Sequence, residues 1–229
     1  MNTKRFIAPV LFLIVFAVGC AGRPTITYYE NHPKQAWLNE CGEKFRMNQG
    51  EITAIAKRQY AFFVYQDAEP NAFVNTEGKA IKISVSDSML DKLQGNDIYC
   101  LIAHESAHIE YNHGIKQAIL SDLINTGMSV ADAAAPGVGL LNIVVNPLLT
   151  KAYSRSDEVQ ADCRALDYLD SMDISYTDYV KMLMMVKSIS SPKSRGGGIL
   201  DTHPNFEQRI KAVEKKGKEL EKKKSGPPV

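Results

Sequence analysis

The chain has 229 residues, of which 45% are hydrophobic and 23% are charged. These fractions are typical of a globular protein that buries a core, and they exclude a disordered, collagen-like or coiled-coil chain. The 27 basic and 26 acidic residues give a net charge of +1. Such a balance leaves no basic surface field, so we expect no nucleic-acid partner.

The amino terminus has the pattern of an export signal. Two basic residues precede an apolar run from Phe6 to Val18, which is shorter than the roughly 20 residues that a membrane-spanning helix needs. The run ends in small residues before Cys20, as in bacterial lipoproteins, where this cysteine is lipidated. The sequence therefore predicts a lipoprotein-type signal peptide at residues 1–19 and a membrane anchor on Cys20. Ordinary secretion with cleavage beside this cysteine is the alternative.

The cysteines bear on location and on cross-links. Ala21, rather than an aspartate, follows Cys20, which by the common Gram-negative sorting rule favours an exported protein held at the outer membrane and facing the periplasm. The other cysteines are Cys41, Cys100 and Cys163, and their spacing matches no zinc-binding cysteine pattern. They allow at most one disulfide with one thiol left over, and the sequence does not select the pair.

Hydrophobic periodicity predicts the remaining elements in chain order. Residues 20–50 are expected to form a tether and a leading helix. Residues 51–212 are expected to form one α+β domain, in which a small mixed sheet packs on a central helix and the C-terminal half is mainly helical. Residues 213–229 have the composition of a charged, disordered tail. The predicted strands and helices are Arg58–Gln66, Ala72–Val74 and Lys79–Val85 (strands), and Gln35–Phe45, Ser86–Leu93, Asn96–Asn112, Ile115–Thr126, a helix capped by Ser154 or Ser156 that ends near Asp170, and Tyr176–Ser188 (helices).

A long apolar segment from Ala133 to Leu149 interrupts this pattern. Its prolines, glycines and asparagines argue against a membrane span. We interpret residues 133–149 as a buried or cleft-covering loop that gates access to a site. An apolar lip exposed to solvent is the alternative interpretation.

The most informative motif is HESAH at residues 104–108, within the predicted helix Asn96–Asn112. Residues four apart share one face of a helix, so both imidazoles project together and can hold one zinc ion. Glu105 follows the first histidine directly, where its carboxylate can take a proton from a zinc-bound water. The alternative is a pair of surface histidines on an amphipathic helix.

A hydrolytic zinc site needs a third protein ligand beside an open position for water. Glu158 lies fifty residues after His108 and shares one face of a predicted helix with Asp162, four residues further on. One carboxylate can bind zinc while the other accepts a hydrogen bond from a ligand histidine and so fixes its tautomer. Solvated surface acids are the alternative interpretation.

Together these motifs resemble a known family. HExxH followed by SRxxExxAD, here residues 154–162, is similar to the gluzincin peptidases of the CAAX prenyl endopeptidase and HtpX type, peptidase family M48, in a soluble bacterial lipoprotein form. Asn71-Ala72-Phe73 resembles the family's NAF strand. Thr202-His203-Pro204, followed by Arg209, resembles its THP…R motif. The resemblance spans about residues 58–212, and the motifs stand in the family's order.

The resemblance implies a zincin-like fold, in which the sheet packs on the HExxH helix. It also implies one zinc ion per chain, held by two histidines and a glutamate. The implied zinc ligands are His104, His108 and Glu158. Glu105 would be the general base, as its position in the motif had already indicated.

Three further residues receive roles around that site from the same resemblance. Asp162 would orient a ligand histidine, and Arg155 would stabilise the site by pairing with Asp162 or Glu105. His203 would stabilise the oxyanion of a tetrahedral intermediate, or else would cap the last helix as a structural residue. His113, which follows the second zinc histidine in many members, is expected to be structural.

These roles predict a zinc-dependent endopeptidase that cleaves unfolded or misassembled envelope proteins. Glu105 would assist the attack of a zinc-bound water on the scissile carbonyl. An extended polypeptide would lie beside the strand at Ile81–Val85, where backbone hydrogen bonds are indifferent to sequence. The expected substrate-strand residues are Asn71, Ala72, Phe73, Ile81 and Ile83.

A non-catalytic protein is the alternative prediction. A chaperone-like or assembly lipoprotein could use the same cleft to bind unfolded envelope proteins without cleaving them. The intact Glu105 beside all three presumed ligands argues against this reading, because binding alone does not require a base. The oligomeric state is not encoded in a readable form.

Overall fold

A computed structural model of the chain describes residues 26–50, 57–77, 80–114, 153–189, 203 and 205–225. Several sequence predictions lie outside the described residues. They are the signal peptide at 1–19, the lipidation site at Cys20, the helix at 115–126 and the gating segment at 133–149.

The described part of the chain has a mixed α+β architecture. Its strands are β1 (Gln59–Tyr65), β2 (Ala72–Glu77) and β3 (Ala80–Ser86). Its helices are α1 (Gln35–Met47), α2 (Asp87–Leu90), α3 (Asp97–Glu110), α4 (Arg155–Asp170), α5 (Tyr176–Ile189) and α6 (Phe206–Lys224). The predicted α+β class, with a small mixed sheet and a mainly helical C-terminal half, is confirmed.

The sheet places β3 in its centre. The strand order is β1-β3-β2, with β3 parallel to β1 and antiparallel to β2. Because β3 is paired on both sides, it has no free edge, and Ile81 and Ile83 are fully buried in the core. The expectation that a substrate lies beside Ile81–Val85 is therefore wrong. The edge strands are β1 and β2, and β2 begins at Ala72 and Phe73.

Helix α3 is buried along almost its whole length because other elements pack on two sides of it. One side meets the sheet and α1, and the other meets α4 and α5. Ile102 is fully buried, and burial of such a side chain stabilises the fold by about 1.5–3 kcal/mol. Every residue from Cys100 to His108 is buried. The polar residues of this stretch must therefore find their partners inside the protein.

Helix α4 begins at a capping box. Ser154 Oγ accepts a hydrogen bond from the backbone N–H of Asp157 at 3.1 Å, and Asp157 Oδ2 accepts one from the backbone N–H of Ser154 at 3.3 Å. This reciprocal pair satisfies two of the N–H groups that a helix start leaves free. Of the two predicted caps, Ser154 is the one used. With the start fixed there, Glu158 and Asp162 lie in the first two turns and are fully buried.

The charged C-terminal segment is helical rather than disordered. Helix α6 buries Val213 and Gly217 on its inner side. A Cβ atom at Gly217 would overlap the ring of Tyr176 in α5, so this close approach requires glycine. The predicted disorder is therefore wrong for residues 213–224. The many lysines lie outside an apolar stripe that packs on α4 and α5, and composition alone conceals such a stripe.

The structure also bears on cross-links and on membrane-spanning helices. Cys41, Cys100 and Cys163 are free thiols, and the first two are buried. Within the described ranges, no helix combines the length and the apolar content needed to cross a bilayer.

Candidate metal centre

Four buried side chains from three parts of the chain converge at one point. His104 and His108 come from α3, Glu158 comes from the first turn of α4, and His203 precedes α6. One donor atom from each lies within 4.8 Å of all the others, so the group could hold a metal ion. None of the four is more than 4% exposed. The structure thus brings the three predicted ligands together and adds His203 to them.

The spacing of the donor atoms suits zinc. His104 Nε2 lies 3.1 Å from His108 Nε2. The nearer oxygens of Glu158 lie 3.3 Å from His108 Nε2 and 3.6 Å from His104 Nε2. Zinc–ligand distances of about 2.0–2.1 Å at tetrahedral angles place neighbouring ligand atoms roughly 3.3–3.4 Å apart. The three donors therefore have the separation that one shared zinc ion requires.

The charges around the group also favour a cation. Glu105, Glu158 and Asp162 are buried carboxyl groups, and the buried cation beside them is Arg209. When all three carboxyls are ionised, two negative charges remain if His203 is neutral and one if it is protonated, so the group favours a cation in either case. Burial acts to raise the pKa of Glu158, but the charges of His203 and Arg209 hold it well below its usual range. Donor type, spacing and charge therefore all fit a zinc ion.

The outer nitrogen of His104 meets a charged network. Asp162 Oδ1 lies 3.0 Å from His104 Nδ1. The Tyr179 hydroxyl lies 3.1 Å from the same nitrogen and donates to Asp162 Oδ1 at 2.7 Å. Arg209 donates to both oxygens of Asp162, at 2.7 and 2.8 Å. Because a carboxylate only accepts, the proton of His104 belongs on Nδ1, and the lone pair of Nε2 faces the other donors.

Arg209, not Arg155, supplies the guanidinium of this network. Arg155 is the first residue of α4 and is exposed, whereas Arg209 is 3% exposed and also lies 2.8 Å from Glu158. The expectation that Arg155 pairs with Asp162 or Glu105 is therefore wrong. Two helical turns, about 10 Å along the axis, separate Arg155 from Asp162. Arg209 of α6 fills the space beside that carboxylate instead.

The ring of His108 is enclosed by two other rings. Tyr153 stacks on it with 3.9 Å between the ring centroids and an interplanar angle of 18°. On another side, His108 Nδ1 lies 2.9 Å from Nδ1 of His113, which is fully buried. Burial lowers the pKa of His108 to about 3, so this ring is neutral, as a metal ligand must be. His113, expected to be structural, directly contacts a candidate ligand.

Glu105 is a buried carboxyl group with an unpaired oxygen. Its Oε2 has no hydrogen-bond partner among the described residues, and burial raises its pKa. With His104, His203, Arg209 and apolar side chains of α5, it lines a cavity of about 20 Å3. Such a volume has room for about one water molecule. A carboxyl group with a raised pKa beside that space has the properties of a general base.

Volume alone does not locate this site. Two roomier cavities in the described part of the chain have volumes of about 230 and 550 Å3. Neither has a member of the four-residue donor group in its wall. The small cavity beside Glu105 is therefore the one that we associate with chemistry, because it adjoins the donors.

His203 faces Glu158 rather than capping the last helix. Its Nδ1 lies 3.0 and 3.1 Å from the two oxygens of Glu158, and 3.3 Å from His104 Nε2. The N-cap of α6 is Asn205, in a left-handed conformation with φ of 69°. The prediction of a capping role for His203 is therefore wrong. Burial disfavours its charged form, but the carboxylate of Glu158 outweighs burial and raises the pKa of His203.

Sequence reasoning missed two polar residues beside the centre. Tyr179 lies on the buried face of α5, where an apolar residue would satisfy the same helical pattern. Gln160 contacts His113 from the outer side of α4. Tyr179 belongs to no motif and Gln160 fills a variable position of SRxxExxAD, so no sequence signal marks either residue. The THP…R motif did mark Arg209 as a residue of interest. The motif did not indicate that Arg209 pairs with Asp162 and Glu158.

Comparisons with known proteins agree with this geometry. The model of the protein family described as Peptidase family M48 matches residues 33–216 of this chain. The chain is 25% identical over 185 residues to Protease HtpX of Idiomarina loihiensis, an alignment that covers 67% of this chain and 64% of the relative. It is 24% identical over 156 residues to Metalloprotease LoiP of Escherichia coli, covering 66% of this chain and 60% of the relative. The chain thus spans less than two thirds of the length of both relatives.

A similar chain is also found among the solved structures. The crystal structure of S. mikatae Ste24p matches with a TM-score of 0.46 and 15% sequence identity. That match covers 83% of the present chain and 52% of the Ste24p chain.

Proposed function

The chain belongs to peptidase family M48, and on that premise we propose that it is a zinc-dependent endopeptidase. The family assignment confirms the resemblance that the sequence motifs indicated, and the buried donor group supports the predicted zinc cofactor. One observation carries the proposal: three donors at zinc-ligand spacing lie in the same buried centre as the unpaired carboxyl oxygen of Glu105. A protein that only binds polypeptides has no need of that carboxyl group.

The proposed site divides its tasks among five side chains. His104, His108 and Glu158 hold the zinc ion. When bound there, zinc supplies a Lewis acid that polarises the scissile carbonyl and makes water more acidic. Glu105 takes a proton from water and returns it to the leaving amine, and its raised pKa suits both transfers. His203 donates a hydrogen bond to the carbonyl oxygen as negative charge develops on it.

The proposed substrate is an extended polypeptide that pairs with the outer edge of β2. Within the described residues, the sheet partner of β2 is β3 alone, so its other edge presents backbone donors and acceptors. Strand β2 also contacts α3, the helix that holds Glu105. A peptide added beside Ala72 and Phe73 would therefore run next to that helix. Backbone pairing is indifferent to side chains, which supports cleavage of unfolded or misassembled proteins.

The proposed place of action is the cell envelope. The apolar run before Cys20 and the Ala21 that follows it support an exported lipoprotein, anchored at the outer membrane and facing the periplasm. Mass analysis of the mature protein tests this. We expect an acylated Cys20 as the first residue, and an unmodified amino terminus further along the chain would contradict the anchor.

The test of the enzymatic proposal is degradation of an unfolded, fluorescently labelled polypeptide by the full chain in mild detergent. Glu105→Gln keeps the size of the side chain but removes the base. We expect one zinc ion per chain in both proteins and cleavage by the variant about a hundredfold to ten-thousandfold slower. Glu219→Gln, at an exposed glutamate of α6, should cleave like the parent.

Two outcomes would contradict the proposal. Equal cleavage by the parent and by Glu105→Gln would remove the assigned base. Zinc-loaded parent protein that leaves every unfolded substrate intact would remove the endopeptidase activity while leaving the metal site in place.

A further inference from the structure

A chain of hydrogen bonds leads from the surface of α4 to the ring of His108. His108 Nδ1 lies 2.9 Å from His113 Nδ1, and His113 Nε2 lies 3.0 Å from Gln160 Oε1. Both histidines are buried, whereas Gln160 is an exposed residue. The proposed reaction assigns no task to His113 or Gln160.

The two histidines of this chain constrain each other. Two ring nitrogens form a hydrogen bond only when one holds a proton and the other a lone pair, and a neutral imidazole has one proton to place. If His113 holds its proton on Nε2, its Nδ1 accepts from His108 Nδ1–H. The lone pair of His108 Nε2 then faces His104 and Glu158. The opposite tautomer of His113 would place the proton of His108 on Nε2, where it would block metal binding.

Two neighbours of His113 select the first arrangement. Gln160 Oε1 is an acceptor for a proton on His113 Nε2. Asp157 Oδ1 lies 3.5 Å from the same nitrogen, and a carboxylate can accept but cannot donate. The other oxygen of Asp157 accepts from Ser154 in the capping box of α4. The helix start that places Glu158 in the centre therefore also places this carboxylate beside His113.

We propose that Gln160 and His113 are positioning residues, which hold His108 in the tautomer whose Nε2 lone pair faces the metal ion. This inference rests on the proposed ligation of zinc by His108. Hydrogen-bond partners of this kind change metal affinity by about 10–100-fold. Because Gln160 is exposed, its replacement leaves the core intact. An effect on zinc can therefore be separated from an effect on folding.

The test compares the full chain, purified in mild detergent, with Gln160→Met and Gln160→Glu. Methionine matches glutamine in length but lacks the carbonyl oxygen, whereas glutamate keeps an acceptor and cannot donate. Gln94→Met makes the same change at another exposed glutamine, ahead of α3, and serves as the control. One readout is zinc affinity in competition with a chelator. The other is nitrogen NMR of the zinc-free protein, which identifies the ring nitrogen of His108 that holds the proton.

We expect Gln160→Met to weaken zinc binding about tenfold and to populate the second tautomer of His108. Gln160→Glu and Gln94→Met should stay within about twofold of the parent in zinc affinity. An unchanged affinity and tautomer in Gln160→Met would overturn the inference, as would a parent whose His108 is protonated on Nε2. A parent that binds no zinc would overturn the proposed metal site instead, and the tautomer measurement would still decide the positioning role.

Discussion

His104 and His108 lie four residues apart on α3, yet their Nδ1 atoms have different kinds of hydrogen-bond partner. His104 Nδ1 meets the carboxylate of Asp162, which is bound in turn by the guanidinium of Arg209 and by a tyrosine hydroxyl. His108 Nδ1 meets the imidazole of His113, and beyond it lie a surface amide and a partly exposed carboxylate. Both arrangements turn the lone pair of Nε2 toward the same point.

The difference follows from distance to solvent. The charged side is enclosed by α3, α4, α5 and α6, and a buried charge is tolerated only when every member of its network is paired. The neutral side, named for the imidazoles of His108 and His113, reaches the surface at Gln160, and its nearest carboxylate, that of Asp157, is only partly buried. Loss of one member should therefore damage the charged side more than the neutral side, both in stability and in zinc affinity.

The largest expected effect comes from Arg209→Met, which would break the charged side. Two buried carboxylates, Glu158 and Asp162, would lose their shared cation. Removal of one partner from a buried ion pair costs about 3–5 kcal/mol. Urea denaturation of the zinc-free protein should show a loss of this size. Arg164→Met, which removes a partly exposed arginine from its pair with Glu110, should cost about 1 kcal/mol or less.

The pH dependence of stability in the parent and in Arg209→Met sharpens this prediction. In the parent, burial acts to raise the pKa values of both carboxyls, but the charge of His203 at Glu158 and the charge of Arg209 at both groups hold them low. The stabilisation is therefore lost only as pH falls through those low values. Without Arg209, the pKa values of both carboxyls would rise, and burial would bring the pKa of Asp162 above its value in the unfolded chain. The variant should then regain stability as pH falls from 7 toward about 4. A stability difference that widens on acidification would contradict the buried pairing.

A smaller effect is expected from Asp162→Asn, which keeps the shape of the side chain but removes its charge. The amide is a weaker acceptor for His104 Nδ1–H and leaves Arg209 with one carboxylate fewer. We expect zinc affinity to fall by about 10–100-fold, more than for Gln160→Met. Asp167→Asn, on a more exposed face of the same helix, should bind zinc like the parent. If Asp162→Asn bound zinc as tightly as the parent, the charged side would contribute no more to zinc affinity than the neutral side.

Much of the fold was predictable because its patterns are local. The cap at Ser154 and the helical spacing around residues 104–108 depend only on neighbouring residues. Strand order is different, because it depends on which distant segments pair. The sequence carried no signal for a central β3, because residues 81–86 alternate between apolar and polar side chains throughout, and the burial of Ser84 and Ser86 is seen only in the folded chain. Alternation does not tell a central strand from an edge strand, and the substrate was therefore placed on the wrong strand.

The site was predictable to the extent that its residues lie in motifs. His104 and His108 follow from helical spacing, Glu158 follows from the family resemblance, and the structure brings the three together. The choice between Arg155 and Arg209 could not follow from spacing, because it depends on which helix end lies beside Asp162 after folding. The partners of the ligands are therefore the part of a metal centre that a single sequence conceals.

The smallest expected effect comes from Tyr179→Phe, which removes one hydroxyl from the charged side and leaves its ion pairs in place. The hydroxyl donates to Asp162 and lies 3.1 Å from His104 Nδ1. Since Arg209 still holds both oxygens of Asp162, we expect a loss of about 1 kcal/mol in stability and a roughly threefold loss of zinc affinity. Tyr176→Phe, on the same helix, should match the parent in chelator competition. If Tyr179→Phe instead lost as much affinity as Asp162→Asn, the hydroxyl rather than the carboxylate would be the group that orients His104, and the charged side would owe its strength to geometry rather than to charge.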